Sequence, residues 1–454
     1  MKAFSKFTIG EGHIADHKPC QDYSLSYTEP GLSVVIVSDG HGGKPYFRSH
    51  IGAEKACYVA MDAIRKFINS TNISFFAIDG KDVVRIYPLS AKEHSDKQLD
   101  AEVQLRHLSR TVIDKWREEV KENAADGALD EWEKNNVDKE YIEQLNNPDK
   151  LYRVYGCTLI AFVLTPKYWF AMHIGDGKCF AFYDESLGKV WDEPIPWDKR
   201  CFLNKTTSLC ASDAYDSFRF AYGGVGSMPL AVFLGSDGLD DTFADDDLLC
   251  DFYIKILKEI LLSSQEKVES ELEESLKVLS RRGSRDDMSV ACLYDEDRLK
   301  VNIRYILEHQ IALVSSRIDN LEKRVNELVT RKQELEHYLE VKNECVNLNK
   351  QRKELEKKFG ISSNTNIEIE MGFVEKDMAR EKEHKAQLLR KRESLVNERS
   401  KVDKISDKDS MANESTDQNK VVEDDIVKGA QEVNYEKIVV SEESTITEVV
   451  HSLS

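Results

Sequence analysis

The 454-residue sequence predicts an α+β domain, antiparallel sheets covered by helices, followed by a helical extension. Three observations carry that reading. Short apolar runs rich in β-branched residues recur through residues 1–297, as strands do. They do not alternate regularly with helical patterns, which disfavours a doubly wound parallel sheet. Residues 298–400 are highly charged, nearly free of glycine and proline, and space their apolar side chains as a helix does.

In chain order, the clearest strand is Leu32–Val37. Thr158–Leu164 and Trp169–Ile174 flank Thr165-Pro166-Lys167 and read as a hairpin. Lys178–Tyr183, Leu230–Leu234 and Met288–Tyr294 follow. Helical periodicity falls at 45–69, 98–124, 246–262 and 265–281, and residues 70–97 read as an irregular connection. In the extension, Ile311, Val314, Ile318, Leu321, Val325 and Leu328 fill successive a/d positions. Leu335 and Leu339 continue the seam, Lys332 and Lys342 interrupt it, and Val341, Leu348 and Leu355 start a second one. Gly360-Ile-Ser-Ser-Asn-Thr-Asn366 breaks the helix, and a weaker helical stretch runs from about 367 to 402. The stripe must be buried, either in an antiparallel hairpin, which the position of the break favours, or in a dimeric coiled coil. The expected division is a domain at 1–297, a coiled helical extension at 298–402 and an acidic, disordered tail at 403–454.

The chain carries 63 Lys+Arg against 82 Asp+Glu, a net charge of −19, which argues against a nucleic-acid or anionic-membrane surface as main partner. No apolar run is long enough to span a bilayer, and the first residues lack a signal-peptide apolar block. The nine cysteines are scattered without a Cys-x-x-Cys pair, so they read as reduced thiols of a cytoplasmic protein.

The chemistry lies in a repeated local pattern. Apolar strands end in aspartate beside glycine at Ser38-Asp39-Gly40-His41-Gly42-Gly43, at Ile174-Gly175-Asp176-Gly177 and at Ser236-Asp237-Gly238. Gln21-Asp22 and Gly283-Ser-Arg-Asp286-Asp287 are two further clusters. Strand ends hold carboxylates on a rigid frame, and glycine lets the backbone turn sharply. Carboxylates brought together repel unless cations lie between them, and oxygen-only ligands suit magnesium or manganese. Such ions activate water and clamp phosphate, so the residues point to a multi-metal hydrolase of phosphate esters.

The order Gln21-Asp22, Asp39-Gly40-His41-Gly42-Gly43, Gly156-Cys-Thr158, Ile174-Gly-Asp176, Ser236-Asp237-Gly238 and Asp286-Asp287-Met288-Ser289 resembles the metal-dependent PPM, or type 2C, Ser/Thr protein phosphatases over roughly residues 5–296. Gly10-x-x-His13 and Lys18-Pro19-Cys20-Gln21-Asp22 resemble a bacterial branch. The resemblance implies a two-sheet antiparallel β-sandwich flanked by helices. It implies two Mg2+ or Mn2+ ions, or three. Asp39 would bridge two of them, with the Gly40 carbonyl facing one. Asp237 and Asp286 would complete the first ion's ligands, Asp22 would serve the second through water, and Asp176 with Asp237 a third. His41 would protonate the departing serine or threonine oxygen, a task that suits imidazole.

Two departures stand out. The usual Asp-Asn is Asp286-Asp287, with Asp286 taken as the ligand. The place of a phosphate-gripping arginine holds His17, with His13 four residues earlier, and either histidine is a candidate for phosphate. The expected activity is hydrolysis of phosphoserine and phosphothreonine in phosphorylated proteins. The alternative is a phosphoprotein- or ligand-binding pseudo-phosphatase that acts as a scaffold. A helical partner or a homodimer through 298–402 is the further expectation.

Overall fold

The computed structural model describes residues 1–76, 78, 80–89, 100–202, 205–359 and 368–414. The helix break expected at 360–366, and the tail beyond 414, lie outside the described residues. Contacts divide the chain into Met1–Ile306 and Leu307–Ser454.

The first unit contains eleven strands among its described residues: β1 (Lys2–Thr8), β2 (Tyr23–Glu29), β3 (Leu32–Ser38), β4 (Val83–Ile86), β5 (Leu159–Leu164), β6 (Tyr168–Ile174), β7 (Lys178–Phe182), β8 (Trp191–Asp192), β9 (Arg219–Gly224), β10 (Ala231–Gly235) and β11 (Met288–Tyr294). They form a five-stranded sheet in the order β1-β11-β10-β7-β8 and a six-stranded sheet in the order β2-β3-β5-β6-β9-β4. Every pairing is antiparallel. The predicted α+β class and two-sheet architecture are therefore found.

The continuous apolar runs follow from this layering. Successive side chains of a strand face opposite ways. Val35 and Val37 of β3, with Ile160, Phe162 and Leu164 of β5, join Ala181, Val232, Leu234, Ala291 and Leu293 in one core between the sheets. Val34, Ile36, Leu159, Ala161 and Val163 point the other way, into a core shared with α2 (Ser49–Ser70) and α3 (Asp100–Ala125). Central strands buried on both faces are therefore apolar over most of their length. On the outer face of the smaller sheet, Phe233 stacks on Tyr253 of the helix Asp246–Leu262, with ring centroids 4.3 Å apart.

The predicted irregular segment 70–97 holds β4, a four-residue edge strand paired with β9. The expected boundary at 297 falls in the first turn of a helix. The helix Glu296–Phe359 starts directly after β11, and its first turns bury Leu299, Ile303 and Ile306 within the first unit.

In the second unit, the continuation of that helix and the helix Glu368–Glu414 share two apolar clusters. Val314 and Ile318 pack with Leu388 and Leu395, and Leu328 packs with Val374 and Met378. Ion pairs Glu308–Arg399 (3.1 Å), Glu322–Lys385 (2.7 Å) and Lys332–Glu375 (3.0 Å) flank them. Numbers rise along one helix as they fall along the other, so the two run antiparallel. The second helix continues to Glu414, past the end expected near 402, because residues 403–414 lack glycine and proline although their apolar stripe has ended.

Candidate metal centre

Sheet register gathers the acidic clusters. Tyr23 pairs with Ser38, so Asp22 and Asp39 lie side by side at one end of β2 and β3. Leu159 pairs with Ile174, which carries Asp176 to the same end. Gly235 pairs with both Lys178 and Val290, which brings Asp237 and Asp286 to the matching end of the other sheet. Asp39, Asp176 and Asp237 each offer an oxygen within 4.8 Å of the others.

Local contacts fix each group. The Asp39 N–H donates to Thr158 Oγ1 at 3.0 Å, and Asp39 C=O accepts from Thr158 N–H at 2.8 Å. Gly175, with φ +126°, turns the chain ahead of Asp176, and a Cβ there would lie 2.4 Å from Thr158. Its N–H donates to Thr207 Oγ1 at 2.9 Å, and its carbonyl accepts from Arg219 Nη2 at 2.7 Å. Arg219 is fully buried, against His173 and near Asp198. Burial and that guanidinium hold the His173 ring neutral, far below the usual histidine range.

Burial raises the proton affinity of four of the aspartates. It does so for Asp22, with the field of Asp287 adding to it, and for Asp39, with the charge of Asp237 adding to it. Burial also raises Asp176, and pushes Asp237 to about 6 with help from Asp176 and Asp286. Buried like charges at this spacing call for a cation. Asp22 Oδ2 and Gln21 Oε1 are buried without a hydrogen-bond partner among the described residues. The donors are all oxygen, and this set fits a hard divalent ion.

Asp286 is exposed and lies beside Asp237 and Asp241. Asp287 is buried, and its carboxylate is committed: Oδ1 accepts from Gly10 N–H at 2.6 Å, and Oδ2 from His13 Nδ1 at 2.8 Å and Gln21 N–H at 2.5 Å. Burial opposes a charge on His13, but the hydrogen bond and charge of Asp287 outweigh it and raise its pKa. His17 sits apart on an exposed turn with φ +54°, and no contact joins it to the aspartates among the described residues.

His41 follows the Asp39-Gly40 turn. Its Nε2 lies 2.7 Å from Ser208 Oγ, and its ring packs edge-on against Tyr46 at 4.9 Å. Its N–H donates to the Gly156 carbonyl at 3.0 Å, and a Cβ on Gly156 would come within 2.8 Å of the imidazole. Burial lowers the His41 pKa to about 4. Gly40 is buried and bridges to Cys157, with its N–H on the Gln21 carbonyl at 3.1 Å. Sequence reasoning missed Thr158 and Ser208 as partners, and Arg219 behind the Asp176 turn. Of these only Thr158 carries a signal in the sequence, as the last residue of Gly156-Cys-Thr158.

The sequence profile described as protein phosphatase 2C matches residues 9–277. The chain belongs to the protein phosphatase 2C family. No curated protein matches it. Among solved structures, a bacterial serine phosphatase is similar at 14% identity, covering 65% of this chain and 99% of its own, with TM-score 0.38. The catalytic domain of the serine/threonine protein phosphatase PstP, solved with two manganese ions, is similar at 16% identity, covering 64% and 96%, with TM-score 0.35. Stp1 from Staphylococcus aureus, a serine/threonine phosphatase, follows at 14% identity, covering 65% and 95%, with TM-score 0.36. Among the described residues, no helix is long and apolar enough to cross a membrane.

Proposed function

We propose that this protein is a magnesium- or manganese-dependent phosphatase of phosphoserine and phosphothreonine in proteins. One observation carries the reading: five sequence-distant acidic clusters meet at one end of the sandwich, with Asp39, Asp176 and Asp237 close enough to share ions. Asp39, Asp237 and Asp286 would hold one ion, Asp39 and the Gly40 carbonyl a second with Asp22 reaching it through water, and Asp176 with Asp237 a third. Divalent ions held there would supply an activated water and neutralise charge on the phosphate.

The protein's own groups do the rest. Thr158 fixes the main chain at Asp39 on both sides of the peptide. His41 is the proton donor to the departing serine or threonine oxygen. Its pKa of about 4 leaves it neutral in the free protein. A phosphate dianion arriving beside the buried ring adds negative charge and raises its proton affinity. Ser208 orients the ring through Nε2. His13 is bonded to Asp287 through Nδ1, and His17 stands apart from the aspartates, so neither is given the phosphate contact.

The test is turnover of a phosphoserine peptide with manganese present, set against Asp39→Asn, Asp237→Asn and a chelator. Each should abolish product phosphate. Undiminished hydrolysis in chelator would sink the metal reading. Tight phosphopeptide binding without turnover would favour a binding role.

A further inference from the structure

A buried carboxylate among other carboxylates is costly unless donors surround it. Asp287 is 3% exposed and has gathered three. Two are main-chain N–H groups, of Gly10 and Gln21, at the two ends of one N-terminal segment. The third is the side chain of His13, in the short helix Glu11–Ala15 between them. The segment presses on the backbone around Asp287. A Cβ on Gly10 would lie 2.3 Å from the Asp286 carbonyl carbon, and Gly12 N–H donates to the Arg285 carbonyl at 2.8 Å. Gln21 directly precedes Asp22, and Asp286 directly precedes Asp287. The Asp287 N–H also orients Asp286, donating to its Oδ1 at 2.8 Å.

We propose that Asp287, held by His13, is a positioning residue that fixes the separation of Asp22 and Asp286, the outer carboxylates of the metal centre. The proposal rests on the metal reading above. Asp287 is bonded through both oxygens to protein donors, so it acts on an ion through its two neighbours. His13 is the one side-chain donor of the three, and so the one that substitution removes while leaving the main chain alone. The aspartate at 287 and the histidine at 13 form one device, since each satisfies the other's buried polar group.

The experiment is calorimetric titration of the purified full-length protein with manganese, without substrate, beside thermal unfolding in chelator. His13→Ala removes the donor. His13→Asn puts an amide nitrogen close to where Nδ1 lies. Groups that orient ligands typically change metal affinity by about 10- to 100-fold. His13→Ala should therefore weaken manganese binding by about tenfold or more, and His13→Asn should recover most of the loss. A purely structural histidine would lower the melting temperature in chelator but leave the affinity of the folded protein unchanged. Native affinity in His13→Ala, or equal losses in both variants, overturns the latch alone. Absence of manganese uptake by the unaltered protein overturns the metal reading and the latch together.

Discussion

Asp237 illustrates how burial and like charge work together at one position. Its pKa of about 6, set first by burial, means that a proton competes with any ion on the acidic side of neutrality. Manganese affinity should fall as pH drops below about 6, and titrations at several pH values check it. Asp39→Asn should lower phosphatase turnover by on the order of 100-fold or more, measured by phosphate release. Glu193, beyond β8, gives a stability prediction away from the centre. Burial lifts its pKa from 4.5 to about 7. The folded state then keeps a proton that the unfolded state has released. Its contribution is fully present below about pH 4.5, declines as pH rises to about 7, and is level above. The decline is on the order of 3 kcal/mol. Glu193→Gln should flatten that part of the stability curve, as urea unfolding across this range would reveal.

At the scale of elements, the start of the helix Ser49–Ser70 depends on a buried charge. Arg48 reaches Glu133 at 2.9 Å through Nη2, the Ala128 carbonyl at 2.8 Å and Tyr155 Oη at 3.1 Å. Glu133 also closes a capping box with Asp130 at the helix Glu131–Asn136. Glu133→Ala would leave a buried guanidinium without its carboxylate and should cost about 3–5 kcal/mol, measured by chemical unfolding. Strand legibility followed position in the sheets. The six predicted strands, β3, β5, β6, β7, β10 and β11, lie inside the sheets, where both faces are covered and the sequence is continuously apolar. Four of the missed strands, β1, β2, β4 and β8, are edges, and they are short or interspersed with polar residues. The fifth, β9, is interior but opens on Arg219 and closes on Gly223-Gly224, which hide its apolar pattern.

For the molecule as a whole, the boundary near Ile306 has an energetic meaning. A chain ended at 297 loses Leu299, Ile303 and Ile306 from the first unit, and each buried side chain is worth about 2 kcal/mol. A version ended at 306 should unfold at clearly higher urea than one ended at 297. The carboxylates of the centre were readable because each follows or precedes an apolar strand beside glycine. The latch was not, because no local pattern tells which buried donor will meet Asp287; only the register of β1 on β11 brings residues 10 and 287 together.

The pairing of β1 with β11 also bears on synthesis. Strand β1 finds its neighbour only when residues 288–294 have been made, and the Gly10–Asp287 bond spans 277 positions. Until then β1 lacks the strand it pairs with, and the frame that sets Asp22 against Asp286 is incomplete. The acidic pocket of a nascent chain is therefore completed only once β11 slots between β1 and β10, a long-range pairing that comes late in folding.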